Sequence, residues 1–338
     1  MKNLTIHLTS IAPVEFYRGE QPHLPALEML LSRGGAKSFE MGGDTLIFAE
    51  TSLENVSYAQ QRLAGEVLLP TDNDSGYWYC ADPVYLKADR DQVLLSHPAS
   101  VQIQDSEADA LIDAFNQLFK EDGIQLWHSS AGAGSAERWY LRSEKPWQLT
   151  TTPLDKSEGR GIRELMPQGA DALRWSKVIA ELEMLFFAHP VNQRRSERGE
   201  PLISSIWLWG EHRPLSPLEF EWGILVGQHP LLKGLNQMRS TPLLEVPPVF
   251  DELIECSGNG LVIIDELSGL QRAGAYDDIV VLLQELEQKL FAPALAALQQ
   301  GQLKTLRIQP ANGAIYTIHR PNLMRFWRRT KSAWLNLD

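Results

Sequence analysis

Two periodicities alternate along the chain. Short runs rich in Val, Ile, Trp, Tyr and Thr, bounded by Gly, Pro or Asp, predict β-strands at 4–8 (LTIHL), 45–49 (TLIFA), 78–86 (WYCADPVYL), 123–128 (GIQLWH), 138–142 (RWYLR), 203–209 (ISSIWLW), 261–265 (LVIID) and 303–308 (LKTLRI). Between them apolar residues recur at helical spacing. Leu111, Phe115, Leu118 and Phe119 predict a helix over 107–120, with Gly123 as its stop. Trp175, Val178, Ile179, Leu182, Leu185 and Phe186 predict another over 171–187. Leu283, Leu286 and Leu290 mark a third over 278–300, with a kink or break at Pro293.

Alternating strands and helices specify an α/β protein with a largely parallel sheet. LTIHL and LVIID are almost continuously apolar, as strands covered on both faces must be. The middle of the chain differs, with amphipathic strands, many aromatics and the loop SSAGAGSAE (129–137). That loop matches neither GxxxxGK[ST] nor GxGxxG and reads as a flexible hairpin turn. The expected organisation is a discontinuous core, 1–76 with 215–338, interrupted by a separate unit over 77–214.

A chain of 338 residues is long enough for two structural units. Its 43% hydrophobic and 22% charged residues fit a packed globular protein rather than a disordered one. A formal charge of −12 repels phosphodiester backbones, so nucleic acid is not an expected partner. Cys80 and Cys256 form no CxxC or Cys/His cluster, which fits a reducing compartment. No run approaches the ~20 apolar residues of a membrane helix. A soluble, cytoplasmic protein with no membrane partner is expected. The cationic stretch HRPNLMRFWRRTK (319–331) reads as a solvated tail with Phe326 and Trp327 packed on the core.

Candidate chemistry concentrates in HPVNQRRSERG (189–199). Guanidinium forks bind phosphate and carboxylate in two-pronged fashion. His189, Asn192 and Arg195, joined by Arg138 of ERWYLR, are therefore candidates for holding a small anionic ligand. The same residues also suit a helix end in which His189-Pro190 stops the helix, Asn192 caps a turn and the arginines face water. Arg138 equally suits a cross-strand ion pair. Asp265 and Glu266 are weak metal candidates; without histidines nearby, they suit a hard, oxygen-bound cation such as Mg²⁺.

The ordered series EADALIDAFNQLFKEDGIQLW, ERWYLRS, AELEMLFFAHPVN and a strand closing in WG spans about residues 80–212. It resembles the inserted domain of archaeal-type cofactor-independent phosphoglycerate mutases, and HPVNxxR is its most specific part. LPALEMLLSRGGA (24–36) and LVIIDELSGLQRAG (261–274) resemble a helix and a strand–metal loop–helix of the alkaline-phosphatase superfamily. DPVYLKADRD (82–91) and RFWRR (325–329) are shared with a bacterial mutase-like group, also described as regulators of the pathogenicity-factor E type.

The resemblance implies an alkaline-phosphatase-like sheet core carrying an inserted α+β domain. In the mutases it also implies two divalent metals and a serine nucleophile, because phosphoryl transfer needs the developing charge neutralised. This chain departs from the pattern. Its first strand runs LTIHLTSIAP where an Asp-Gly turn is expected, and Leu270 stands where Asp-x-x-Gly-His places histidine. No Asp-His pair follows in the last third, and Ser52 and Ser57 only loosely suit the nucleophile. The resulting expectation is a mutase-like protein lacking the two-metal site and binding a phosphorylated or carboxylated ligand in a regulatory role. Two alternatives stay open: an active enzyme with displaced ligands that needs Mn²⁺ or Mg²⁺, and a protein-interaction scaffold.

Overall fold

The computed structural model describes residues 3–10, 22–38, 43–51, 56–66, 76–89, 92–96, 101–129, 135–157, 160–211, 222–272, 274–310, 313–325 and 327–332. The chain forms two compact units, one of Met1–Thr51 with Leu218–Asp338, the other of Ser52–Pro217.

The first unit opens with β1 (Asn3–Leu8), α1 (Pro25–Arg33), β2 (Gly35–Ser38) and α2 (Gly43–Thr51). The run TLIFA, expected as a strand, lies inside α2. A short apolar run has no decisive period, so its setting decides. Here Leu46, Ile47 and Phe48 are all buried, and Thr51 Oγ1 donates to Ile47 O, one turn back.

The second unit runs α3 (Tyr58–Gly65), β3 (Tyr77–Asp89), β4 (Gln92–Ser96), α4 (Asp105–Leu118), β5 (Ile124–His128), β6 (Trp139–Ser143), α5 (Ala172–Ala188), α6 (Pro190–Glu197) and β7 (Ser205–Trp209). Its sheet is antiparallel, in the order β4-β3-β6-β5, with β7 pairing to β3. One face buries α4 and α5 through Leu111, Phe115, Trp175, Leu182 and Phe186. Of the loop 129–137, residues 130–134 lie outside the described residues.

The first unit resumes with β8 (Trp222–Val226), α7 (Pro230–Arg239), β9 (Leu243–Leu244), α8 (Phe250–Glu255), β10 (Asn259–Ile264), α9 (Glu266–Arg272), α10 (Tyr276–Leu286), α11 (Ala292–Gln300), β11 (Thr305–Pro310), β12 (Ala314–His319) and α12 (Arg320–Leu323). Its sheet has the order β2-β12-β11-β1-β10-β8-β9, with β11, β1, β10, β8 and β9 parallel. Only β12 and β2 run antiparallel at one side. The whole is a mixed α/β protein with a mostly parallel central sheet and a separate antiparallel sheet.

The two faces of the parallel sheet are unlike. Leu4, Ile6, Val226, Val262, Ile264, Leu306 and Ile308 pack with α1, α10 and α11 in one apolar core. The alternate residues of β1 and β11, Thr5, His7, Arg307 and Gln309, point the other way, as strand pleating requires. The helical stretch expected over 278–300 is present, but a π-helical turn (Glu287–Phe291) separates α10 from α11. Pro293, which has no N–H to donate, falls in the first turn of α11. The same turn aims Glu287 at the start of α1, where its carboxylate accepts from Ala26 N (2.5 Å) and Leu27 N (3.2 Å). Those amides have no helical partner of their own, so α1 is capped from a distant part of the chain.

Candidate functional site

Ligands of open α/β sheets bind outside the carboxyl ends of the strands, where successive connections diverge. In this sheet β8 leads through α7 to β9 on one side, whereas its neighbour β10 leads through α9, α10 and α11 to β11, beyond β1. At the end of β8, Gly227 has φ 136°, and a Cβ there would lie 2.4 Å from Ile263 O of β10. Only glycine permits that approach.

The carboxyl ends of β1 and β10 carry a polar cluster. Thr9 Oγ1 donates to Ile264 O (2.9 Å), Ser268 Oγ donates to Thr9 Oγ1 (2.7 Å), and Ser10 Oγ donates to Gln271 Oε1. Asp265 and Glu266 follow directly on β10. Asp265 Oδ1 and Glu266 Oε2 are buried without a hydrogen-bond partner among the described residues. Burial pushes the Glu266 carboxyl above the usual range, against a backbone hydrogen bond that lowers it and with a smaller push from the Asp265 charge. Two orphaned carboxylate oxygens fit a single hard cation. They do not fit a two-metal centre. Among the described residues no group of three or more His, Cys, Asp or Glu is placed to hold a metal ion.

On the polar face of the same sheet, a second acid is already satisfied. Glu50 of α2 lies 2.6 Å from His7 Nε2 through Oε2. Its Oε1 accepts from Gln309 Nε2 (2.8 Å) and from Arg307 Nη2 (3.1 Å). Burial alone would push the Glu50 carboxyl up, but His7, Arg307 and Gln309 together hold it below the usual range. Sequence reasoning does not find this group. Its one signal is His7, a polar ring inside an apolar strand, which demands a buried partner.

The residues expected to bind an anion lie in the second unit and are largely spent on its own structure. Asn192 Nδ2 donates to Phe186 O and Ile203 O (both 2.8 Å), and its Oδ1 accepts from Ile203 N (2.9 Å). It thereby joins the end of α5 to the chain entering β7. Arg195 is 2% exposed. Its Nε donates to Pro201 O (2.7 Å), Nη1 to Glu107 Oε2 (2.5 Å) and Nη2 to Val101 O. His189 caps α6 by accepting from Val191 N through Nδ1 (3.3 Å), and burial followed by the Arg194 charge lowers its pKa. Arg138 is a quarter exposed and bonds Glu66 through Nε and Nη2. The two arginines are thus held by different carboxylates, Glu107 and Glu66.

Glu66 belongs to a buried ionic network. Arg62 of α3 forms a two-pronged pair with Asp82 of β3, Nη1 to Oδ2 at 2.9 Å and Nη2 to Oδ1 at 2.8 Å. Asp82 also accepts from Trp139 N (3.1 Å) and Trp209 Nε1 (2.7 Å). Tyr140 Oη receives Arg62 Nε (3.0 Å) and donates to Glu66 Oε1 (3.0 Å). Trp209 and Trp207 are both buried, and Trp207 Nε1 donates to Thr152 O (2.8 Å). In the basic tail, Arg325 and Arg328 bond the carbonyls of Arg33 and Gly34. Trp327, expected on the core, is 68% exposed, whereas Phe326 lies outside the described residues, as does Ser52. Ser57 accepts from Gln60 N as the cap of α3.

No protein-family model matches the chain. The 2,3-bisphosphoglycerate-independent phosphoglycerate mutase of Methanosarcina mazei is 23% identical over 237 residues, 66% of this chain and 58% of the relative. That of Methanosarcina barkeri is 31% identical over 100 residues, 28% of this chain and 25% of the relative. This chain therefore spans at most 58% of these relatives' lengths. Among solved structures, the cofactor-independent phosphoglycerate mutase of Thermoplasma acidophilum aligns over 94% of this chain and 90% of its own, at 14% identity and a TM-score of 0.39. No helix among the described residues is long and apolar enough to cross a membrane. At low identity, then, the chain is similar in sequence to the 2,3-bisphosphoglycerate-independent phosphoglycerate mutases.

Proposed function

We propose that this is a mutase-like protein that binds a small phosphorylated or carboxylated ligand in a regulatory role, without two-metal phosphoryl transfer. The observation that carries this reading is the state of Glu50. Both of its oxygens are taken by His7, Gln309 and Arg307, so its charge is neutralised by the protein rather than offered to a metal. Two-metal chemistry needs several carboxylates and histidines turned towards shared ions. Among the described residues, the buried carboxylate oxygens left without a partner are one each from Asp265 and Glu266. The relatives are named for phosphoglycerate, which makes 3-phosphoglycerate the first ligand to test. Of the four anion candidates, Arg138 and His189 keep some surface, and Asn192 and Arg195 support the segment that carries His189.

One observation favours a second reading. The unpartnered Asp265 Oδ1 and Glu266 Oε2 would suit one Mg²⁺ or Mn²⁺, which would neutralise the phosphate or carboxylate of a bound ligand. In that case Asp265 and Glu266 would hold the ion.

The test is the thermal midpoint of the full chain with excess 3-phosphoglycerate, with and without Mn²⁺, alongside a mutase assay. Ligand at about a hundred times its Kd adds about 2.7 kcal/mol, a shift of a few degrees. A shift without metal and without turnover supports the binding protein. A shift that needs metal, with turnover, replaces it by the enzyme. No shift under either condition removes both.

A further inference from the structure

Helix α5 buries Trp175, Val178, Ile179, Leu182 and Phe186 against the antiparallel sheet. Its opposite face is not polar. Leu173, Met184 and Phe187 are 72%, 66% and 78% exposed. Apolar residues exposed singly are ordinary on any protein. These three are not scattered. With Lys177 and Ala180, both exposed, they recur at intervals of four, three, four and three residues, the spacing of a helix–helix seam. At 100° per residue the five lie within a stripe about 80° wide, centred opposite the buried residues.

The stripe is self-complementary when reversed. If two α5 helices lie antiparallel about a twofold axis at Ala180, Leu173 of one meets Phe187 of the other. Met184 enters beside Ser176 and Ala180, whose small side chains admit close approach. Lys177 comes within about two residue rises, ~3 Å along the axis, of the level of Glu181 on the second copy, on the same flank. A twofold contact demands that one patch fit itself, and a stripe with a cation before the centre and an anion after it does so only in the antiparallel sense.

We propose that the exposed face of α5 is a homodimer interface, in which two copies of this chain pair antiparallel through Leu173, Ala180, Met184 and Phe187, with Lys177 facing Glu181 across the axis. The helix is about 25 Å long. A helix pair of that length buries less than the ~1,600 Å² of a standard stable interface, so the dimer is reversible and concentration-dependent.

Sedimentation velocity or light scattering on the full chain, from about 1 to about 100 µM, reads this directly. The expected mass rises towards twice 38.1 kDa with concentration. Phe187→Glu keeps the protein monomeric across the range, with its circular dichroism and melting midpoint unchanged because the side chain is exposed. Lys177→Glu and Glu181→Lys each weaken association by about tenfold by setting like charges opposite one another, and the double variant K177E/E181K restores it. A wild-type chain that stays monomeric throughout overturns the proposal. So does a dimer that F187E leaves intact, or charge variants that weaken association without recovery in the double.

Discussion

His7 Nε2 and Glu50 Oε2 sit 2.6 Å apart on the face of the parallel sheet opposite the apolar core of Leu4, Ile6, Leu306 and Ile308. Glu50 contributes to the acid sensitivity of the first unit. The folded Glu50 pKa is depressed, so the stability it contributes is present above its unfolded pKa, about 4.3, and is lost as pH falls through the lower folded value. Glu66 in the second unit, held down against its burial by Arg138 and Ser129, has the same sign. Melting midpoints between neutral pH and about pH 3 should fall steeply below the unfolded carboxyl pKa. Glu50→Gln should lower the midpoint at neutral pH and flatten that acid limb.

Glu266 has the opposite sign. Its folded pKa is raised, so ionisation opposes folding at and above neutrality and the penalty disappears as pH falls below the unfolded value. Glu266→Gln should raise the midpoint at pH 8 and change little at pH 4. If a divalent cation is bound there, the same substitution should abolish any Mg²⁺-dependent rise in the wild-type midpoint. A rise surviving in both E266Q and D265N would place the cation elsewhere.

Arg62→Met or Asp82→Leu alone should cost about 3–5 kcal/mol, because each leaves a buried charge uncompensated. The double substitution should cost less than the two singles together, and a double-mutant cycle by chemical denaturation measures the coupling. Strict additivity would show that Arg62 and Asp82 act independently.

Asn192→Ala strips three hydrogen bonds and takes from Ile203 the partner of both its N–H and its carbonyl, whereas Phe186 O keeps His189 N. Each orphaned group costs about 1–3 kcal/mol, so the variant should unfold at markedly lower denaturant. Arg195→Met should also destabilise, through Glu107. If binding of 3-phosphoglycerate depends on Arg138, R138A should remove the ligand-induced shift while R195M, at matched ligand excess, keeps it.

Much of the fold is legible in the pattern of residues alone. The helices around Phe115 and Leu182 fall within two residues of their expected bounds, because a one-sided apolar stripe over several turns has a single reading. TLIFA does not, since a run of four apolar residues satisfies strand and helix alike. β2, GAKS, carries no apolar pattern and is fully exposed, so nothing in it announces a strand at the sheet edge. The site is harder for a physical reason. HPVNQRR shows its donors plainly, but Arg195 meets Glu107 from 88 residues away and Glu50 meets His7 from 43. Spacing along a chain reports which groups need partners and is silent on which partner the fold delivers.

The position of α3 has a practical consequence. Its arginine is the counter-ion of the acid at the heart of the antiparallel sheet, although it lies 20 residues before it. An excised fragment starting at the first strand, Tyr77, would retain every strand of that sheet and still be crippled, with Asp82 sealed among Trp139, Trp209 and Tyr140 and no cation to answer it. A fragment begun ahead of Ser57 carries its own neutraliser. The smallest autonomous piece of this unit is therefore marked by where its charge closes, not by where its first strand begins.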